Sequence, residues 1–310
     1  MAKNCYFYID DVIWTLRELT NQKPDSMFDI PFLKMLKTAH DKYGMKVQLN
    51  LFYRTDFFYG EDEFCLKDVT DKYKSEWEAN SDWLRLGFHS KQEFPDYPYV
   101  NADYNLVKSN FEEIKNEVYR FAGPKTFAAN VTTHWLPMSR EGCAALHDCG
   151  VKIMTVSTGD RHEYDPESNV LEYVHASRVL TNRKKETGVF YRKLDNGTSL
   201  PSVCGYNHLK PEKIDAIRYK KEYYHDEETG MNFKQLCYGP VLNSCTMDMI
   251  PQRLEPHMEN EYLGYATHEQ YFYPKYFLYQ PDYADKLFLA AKIVSENGYE
   301  FFFPEEMVKE

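Results

Sequence analysis

The chain has 310 residues, a length that suits two average domains or one α/β barrel. Its 37 Lys and Arg against 48 Asp and Glu leave a net charge of −11, which argues against nucleic-acid binding, because displacing counterions from phosphates needs basic clusters. A hydrophobic fraction of 43% excludes wholesale disorder, and no apolar run approaches the ~18 residues of a membrane span.

Cys5 to Ile9 reads as a buried strand that runs straight into Asp10 and Asp11. Only Met1 to Asn4 precede it, too little for a signal peptide, and the seven cysteines lack a close C-x-x-C pair. Free thiols in a reducing cytoplasm are the expectation. A polar loop leads to a helix from Met27 to Tyr43, with Phe28, Phe32, Met35, Leu36 and His40 at helical spacing and Gly44 as its stop. Met45 to Phe52 is the second strand and Lys72 to Asn80 a helix. Trp83 to Phe88 is the third strand, ending at His89, and Ala102 to Phe121 a long helix. Phe127 to Val131 is the fourth strand, ending at Thr132, Thr133 and His134. Ser139 caps a helix that runs to Cys149, and Val151 to Val156 is the fifth strand.

Thr158 to Tyr238 breaks this rhythm, with β-like pieces at Val170 to Val174 and Gly188 to Leu194 and a charged helical stretch from Pro211 to Asp226. It reads as an insertion or lid, residues 158–238, over the mouth of a barrel, or as a crossover excursion. A helix from Pro251 to Asn260, a strand from Tyr262 to Ala266 ending at Thr267, His268 and Glu269, a helix from Asp282 to Asn297 and a strand from Tyr299 to Phe303 complete the chain. The alternation predicts one α/β domain over residues 1–310, with parallel strands and crossover helices.

The ionisable residues sit at the C-terminal ends of the predicted strands, the rim where α/β barrels build active sites. Adjacent carboxylates at Asp10 and Asp11 repel each other unless a cation or shared proton relieves them; a helix cap is the plainer alternative. His89 and Glu93 offer two metal ligands, a weak pattern alone that gains weight beside a strand carrying two aspartates. A lone strand-end His is more often structural than catalytic, but His89, His134 and His268 follow three different strands.

This order of motifs resembles the polysaccharide deacetylases, the chitooligosaccharide deacetylase homology domain. The resemblance implies a distorted (β/α)7-type barrel, with the insertion between the fifth strand and the C-terminal β/α units, that removes acetyl groups from glycans with a divalent metal. It implies Asp10 as catalytic base, His268 as general acid, and Asp11 and His89 as metal ligands. The family's second metal histidine is replaced by Glu93, so the third ligand is either Glu93 or His134. The ion is expected to be Zn, or Mn, Mg, Co or Ni given the altered ligand set, an extra carboxylate favouring harder metals such as Mn or Mg. The family's arginine beside the base is absent from its motif, leaving Arg140 or Arg161 as substitutes. Aromatic residues make up 16% of the chain. Tyr53, Tyr97, Trp135 and Tyr271 follow the same strand ends and are expected to contact a carbohydrate or small acetylated substrate. No nucleic acid or membrane partner is expected, and a homo-oligomer is left open. Two readings compete: a glycan-binding protein that has lost the chemistry, and a metal-independent glycosidase pairing Asp10 or Asp11 with Glu93 or Glu269.

Overall fold

The computed structural model describes residues 3–55, 63–94, 98–99, 102–136, 138–156, 164–165, 170–171, 213–214, 216–236 and 238–309. Strand β1 (Lys3–Val12) is buried over its last eight residues, as befits a strand covered on both faces. Helix α1 (Trp14–Gln22) follows where a polar loop was expected. Its own N-cap, Ile13, supplies no side-chain oxygen. The cap is instead Glu269, about 250 residues away, which no local pattern reveals. Helix α2 (Pro31–Tyr43) starts later than Met27, because Ser26 and Asp29 cap a separate single turn and Ile30 is extended. Gly44, at φ 66°, ends α2 in the left-handed conformation.

Strands β2 (Val47–Phe52) and β3 (Leu84–Ser90) flank helix α3 (Lys74–Ala79). Helix α4 (Tyr104–Phe121) is capped by Asp103, and after the short β4 (Asn130–Val131) helix α5 (Arg140–Asp148) is capped by Ser139 as expected. Strand β5 (Ile153–Val156) follows. A short antiparallel pair, β6 (Tyr164–Asp165) and β7 (Val170–Leu171), lies within the segment read as an insertion. The predicted strand at Gly188 to Leu194 falls outside the described residues.

The helix expected up to Asp226 is replaced by a hairpin, β8 (Tyr224–His225) with β9 (Asn232–Gln235). Its turn is fixed by the Asp226 carboxylate, which accepts from the Thr229 hydroxyl at 2.5 Å and backbone N–H at 3.2 Å, with Gly230 left-handed at φ 74°. Strand β9 then pairs parallel with β5, so part of the predicted insertion belongs to the second, four-stranded sheet. Strand β10 (Tyr238–Val241), helix α6 (Met249–Leu254), strand β11 (Tyr262–His268), helix α7 (Tyr283–Glu296) and strand β12 (Tyr299–Phe301) complete the fold.

The parallel order is β10-β11-β1-β2-β3, with β12 on the start of β1. One parallel bridge, Leu86 to Phe127, leads from β3 towards β4, and β4-β5-β9 continue parallel. Among the described residues the ladder does not close into a ring. The expected α/β architecture of parallel strands with crossover helices is the one observed. No helix among the described residues is long and apolar enough to cross a membrane.

Candidate metal centre

Successive residues of a regular strand face opposite sides of the sheet, so two adjacent aspartates cannot normally share a site. Here β1 is irregular at its end. The β1–β2 register slips between Ile9 and Val12, and Asp11 takes the left-handed conformation at φ 62°. Aspartate tolerates that conformation better than most residues, and a bulge re-aims its side chain. Both carboxylates consequently approach one imidazole: Asp10 Oδ1 lies 3.6 Å from His89 Nδ1, and Asp11 Oδ1 lies 3.3 Å from His89 Nε2.

His89 ends β3, and His134 follows β4, with its backbone N–H donating to the His89 carbonyl at 3.2 Å. The loop then turns through Trp135 and Leu136, left-handed at φ 60° and 72°, and closes by a 2.8 Å bond from the Leu136 N–H to the Thr133 carbonyl. His134 Nδ1 thereby sits 3.2 Å from His89 Nε2 and 3.4 Å from Asp11 Oδ1. Asp11, His89 and His134 form a buried triangle and are the single such group of metal-ligand types among the described residues.

Three features fit this triangle to a cation. Donor atoms around a four-coordinate ion at about 2.0–2.1 Å lie roughly 3.3 Å apart, close to the separations seen here. Asp11 Oδ1 is buried without a hydrogen bond, a costly state unless a cation satisfies it. Each imidazole also spends its other nitrogen on a backbone carbonyl. His89 Nδ1 donates to Thr132 O at 2.7 Å and His134 Nε2 to Glu93 O at 3.0 Å, leaving Nε2 and Nδ1 respectively as lone-pair donors. Burial works against the His89 imidazolium, yet Asp10 and Asp11 overcome it and push the pKa up to about 9. Burial likewise opposes the Asp11 carboxylate, but the imidazoles beside it hold its pKa well below the usual range.

Asp10 and His268 flank the triangle on neighbouring strands, paired in register across β1 and β11. Burial raises the Asp10 pKa from its ordinary value, and the two histidines moderate the rise. Where the resemblance implies an arginine, Asn50 of β2 donates to Asp10 Oδ1 at 2.7 Å. Gln48 Nε2 donates to Asn50 Oδ1 at 2.7 Å, and Asn130 Nδ2 donates to Gln48 Oε1 at 3.3 Å, so a directed chain of amides ends on Asp10. Gly87 gives them room: a Cβ there would stand 2.5 Å from Gln48 Nε2 and 3.0 Å from Asn50 Oδ1. His268 Nδ1 is bonded to Asn243 Oδ1 at 3.0 Å, which fixes its tautomer.

The remaining expectations fare unevenly. Glu93 is buried, and its carboxylate lies 4.0 Å from His134 Nε2, the nitrogen turned away from the triangle. Its contribution to the cluster is its carbonyl, so His134 completes the triangle and Glu93 does not. Arg140 pairs on the surface with Glu228 at 2.9 Å, far from any role beside Asp10, and Arg161 lies outside the described residues. Glu269 cannot act as a glycosidase carboxylate. It is fully buried, and its two oxygens accept the N–H groups of Ile13, Trp14 and Thr15, each at 2.7 Å. Trp135 packs edge-on to His134 at 5.8 Å, and Tyr271 lies 6.3 Å from His268, ring to ring. Tyr53 lies under the Lys91 ammonium, and Tyr97 is outside the described residues. Phe52, the last residue of β2, walls the cluster at 5.5 Å from His89 and 5.0 Å from His134, ring to ring.

No known family's sequence profile matches the chain, and no curated protein does. Solved structures match at the level of fold. The 4-alpha-glucanotransferase of Thermococcus litoralis is similar over 99% of this chain at 12% identity, with a TM-score of 0.51. The chain spans 40% of that enzyme's length. A family 4 acetyl xylan esterase from Clostridium thermocellum, solved with a cobalt ion, matches 98% of this chain and 90% of its own at 10% identity and a TM-score of 0.44. The Xyl-CE4 domain of a multidomain xylanase from the hindgut metagenome of Trinervitermes trinervoides matches 99% and 90%, at 10% identity and a TM-score of 0.43. The likeness to the glucanotransferase is one of fold alone.

Proposed function

We propose that this chain is a metal-dependent hydrolase of the carbohydrate deacetylase type, with Asp11, His89 and His134 holding a divalent ion, Asp10 as base and His268 as acid. The observation that carries the reading is the triangle of 3.2–3.4 Å whose imidazoles have both outer nitrogens bonded to carbonyls, flanked by Asp10 and His268. Two imidazoles and one carboxylate favour Zn, Co or Ni over Mg, because the extra carboxylate that would harden the site stands outside it.

When bound there, a divalent ion supplies Lewis acidity towards an acyl carbonyl and a water molecule. Asp10 takes the proton from that water. Its raised pKa brings it closer to the operating pH, which strengthens it as a base, while Asn50 holds one oxygen in position. His268 in its imidazolium form, with Nδ1–H committed to Asn243, gives the proton on Nε2 to the departing amine or alkoxide. Among the described residues, Tyr53, Trp135 and Tyr271 are the aromatic side chains that would contact a sugar ring. The same donor set holds Fe2+ in oxygenases; the acid and base on adjacent strands favour hydrolysis.

The test is acetate release from acetylated chito- and xylo-oligosaccharides by chelator-stripped protein reloaded with Zn2+ or Co2+. Activity that returns with metal and disappears in Asp10→Asn supports the reading. Release of reducing sugar without acetate, insensitive to chelator, would instead select the glycosidase.

A further inference from the structure

We infer that Gln270 is a positioning residue that makes Asp11 a single-oxygen metal ligand. The inference rests on the reading that Asp11, His89 and His134 hold an ion. Gln270 is buried, and its Nε2 donates to Asp11 Oδ2 at 2.9 Å. Oδ1 is then the oxygen left facing the imidazole nitrogens, buried and without a hydrogen bond. A carboxylate with a free second oxygen can rotate about its Cβ–Cγ bond and chelate through both atoms; one with Oδ2 held by a donor cannot do so without losing that bond.

The backbone around this contact is braced independently. Glu269, the preceding residue, takes the N–H groups of Ile13, Trp14 and Thr15, so the turn after Asp11 is tied to the end of β11. The β1–β11 register runs unbroken to Asp10 and His268, one step before. Gln270 therefore meets Asp11 across a rigid junction. The carboxamide also carries a cost: its Oε1 is buried with no hydrogen-bond partner. Among the described residues, the one bond from the head group is therefore the one to Asp11 Oδ2, so the amide serves the carboxylate and not its own oxygen.

The experiment titrates Co2+ into chelator-stripped wild type, Gln270→Met (similar volume, no donor) and Gln270→Ala, by calorimetry and visible absorption. Both variants should bind Co2+ about 10–100-fold more weakly, the usual effect of removing an outer-shell partner. The visible bands of the Co2+ form should weaken as the freed carboxylate raises the coordination number. The unfolding midpoint of metal-free Gln270→Met should fall only modestly, because Asp11 Oδ2 loses its donor while the protein still folds. Wild-type affinity and spectrum in both variants would overturn the inference and leave the metal centre standing. A collapse of the metal-free midpoint in both variants would assign Gln270 to folding and overturn it as well. Wild type that binds no Co2+ would remove the metal centre itself, and the inference with it.

Discussion

Each histidine of the triangle has one nitrogen committed and one available, and that asymmetry separates this cluster from a chance meeting of ionisable groups. His134→Ala should cost metal affinity well beyond the ~10–100-fold expected for an outer-shell loss, whereas Glu93→Gln, which keeps the carbonyl that holds His134, should change it little. Competitive chelator titration of the two variants reads the difference directly, and the reverse ranking would return Glu93 to the ligand set. Asp10, Asp11, His89 and His268 were legible in the sequence because ionisable residues just past apolar runs are conspicuous. The choice between Glu93 and His134 was not. It depends on the left-handed turn at Trp135 and Leu136, a conformation that non-glycine residues rarely announce. Asn50 and Asn243 were missed for a different reason: neutral amides carry no distinctive signal, although Gln48 and Asn50, two apart in a buried strand, were a hint that one face of β2 was polar.

At the level of elements, two junctions hold the site. The first is Glu269 beneath α1. Burial raises its pKa to about 7, with the three N–H groups opposing the rise. Because the folded pKa lies above the unfolded value, the folded protein binds this proton more tightly. The stability it confers is full below about pH 4.5 and is lost as pH climbs through 7, by roughly 3 kcal/mol from this group. Urea unfolding of metal-free protein between pH 5 and 8 should show that decline, and Glu269→Gln, which cannot ionise, should lack its share of it. An equal decline in the variant would dissociate Glu269 from the effect. The second junction is β3 against β2. Gly87→Ala would drive a methyl into Gln48 and Asn50, and overpacking of this kind costs about 1–3 kcal/mol. A shift of that size in the urea midpoint checks it, and an unchanged midpoint would mean that the amides have room to move. Helices α2, α4 and α5 could be read from periodicity and caps, but α1 could not, since its cap comes from the other end of the chain.

Over the whole molecule, the ends of β1, β3 and β11 in one sheet and β4 in the next come together, so residues from 10 to 268 meet without a local motif. The end of the chain meets the sheet elsewhere. Glu305 is buried, bonded to Arg85 at 2.6 Å and to the Ala129 N–H at 3.3 Å, with the Arg85 guanidinium over the Phe303 ring at 4.3 Å. Arg85→Met would leave that carboxylate unpaired and should destabilise the fold by about 3 kcal/mol, while metal affinity stays unchanged because the pair lies outside the cluster. Alternating β and α patterns made the parallel architecture legible, and the strand supplied by Asn232–Gln235 escaped notice because it follows a long irregular segment. The central claim is that Asp11, His89 and His134 share one ion. Anomalous diffraction from crystals grown with Co2+, collected above and below the cobalt edge, tests it most directly. A single edge-dependent peak bounded by Asp11 Oδ1, His89 Nε2 and His134 Nδ1 is the predicted result; no peak there, or one bound through the Glu93 carboxylate, would contradict it.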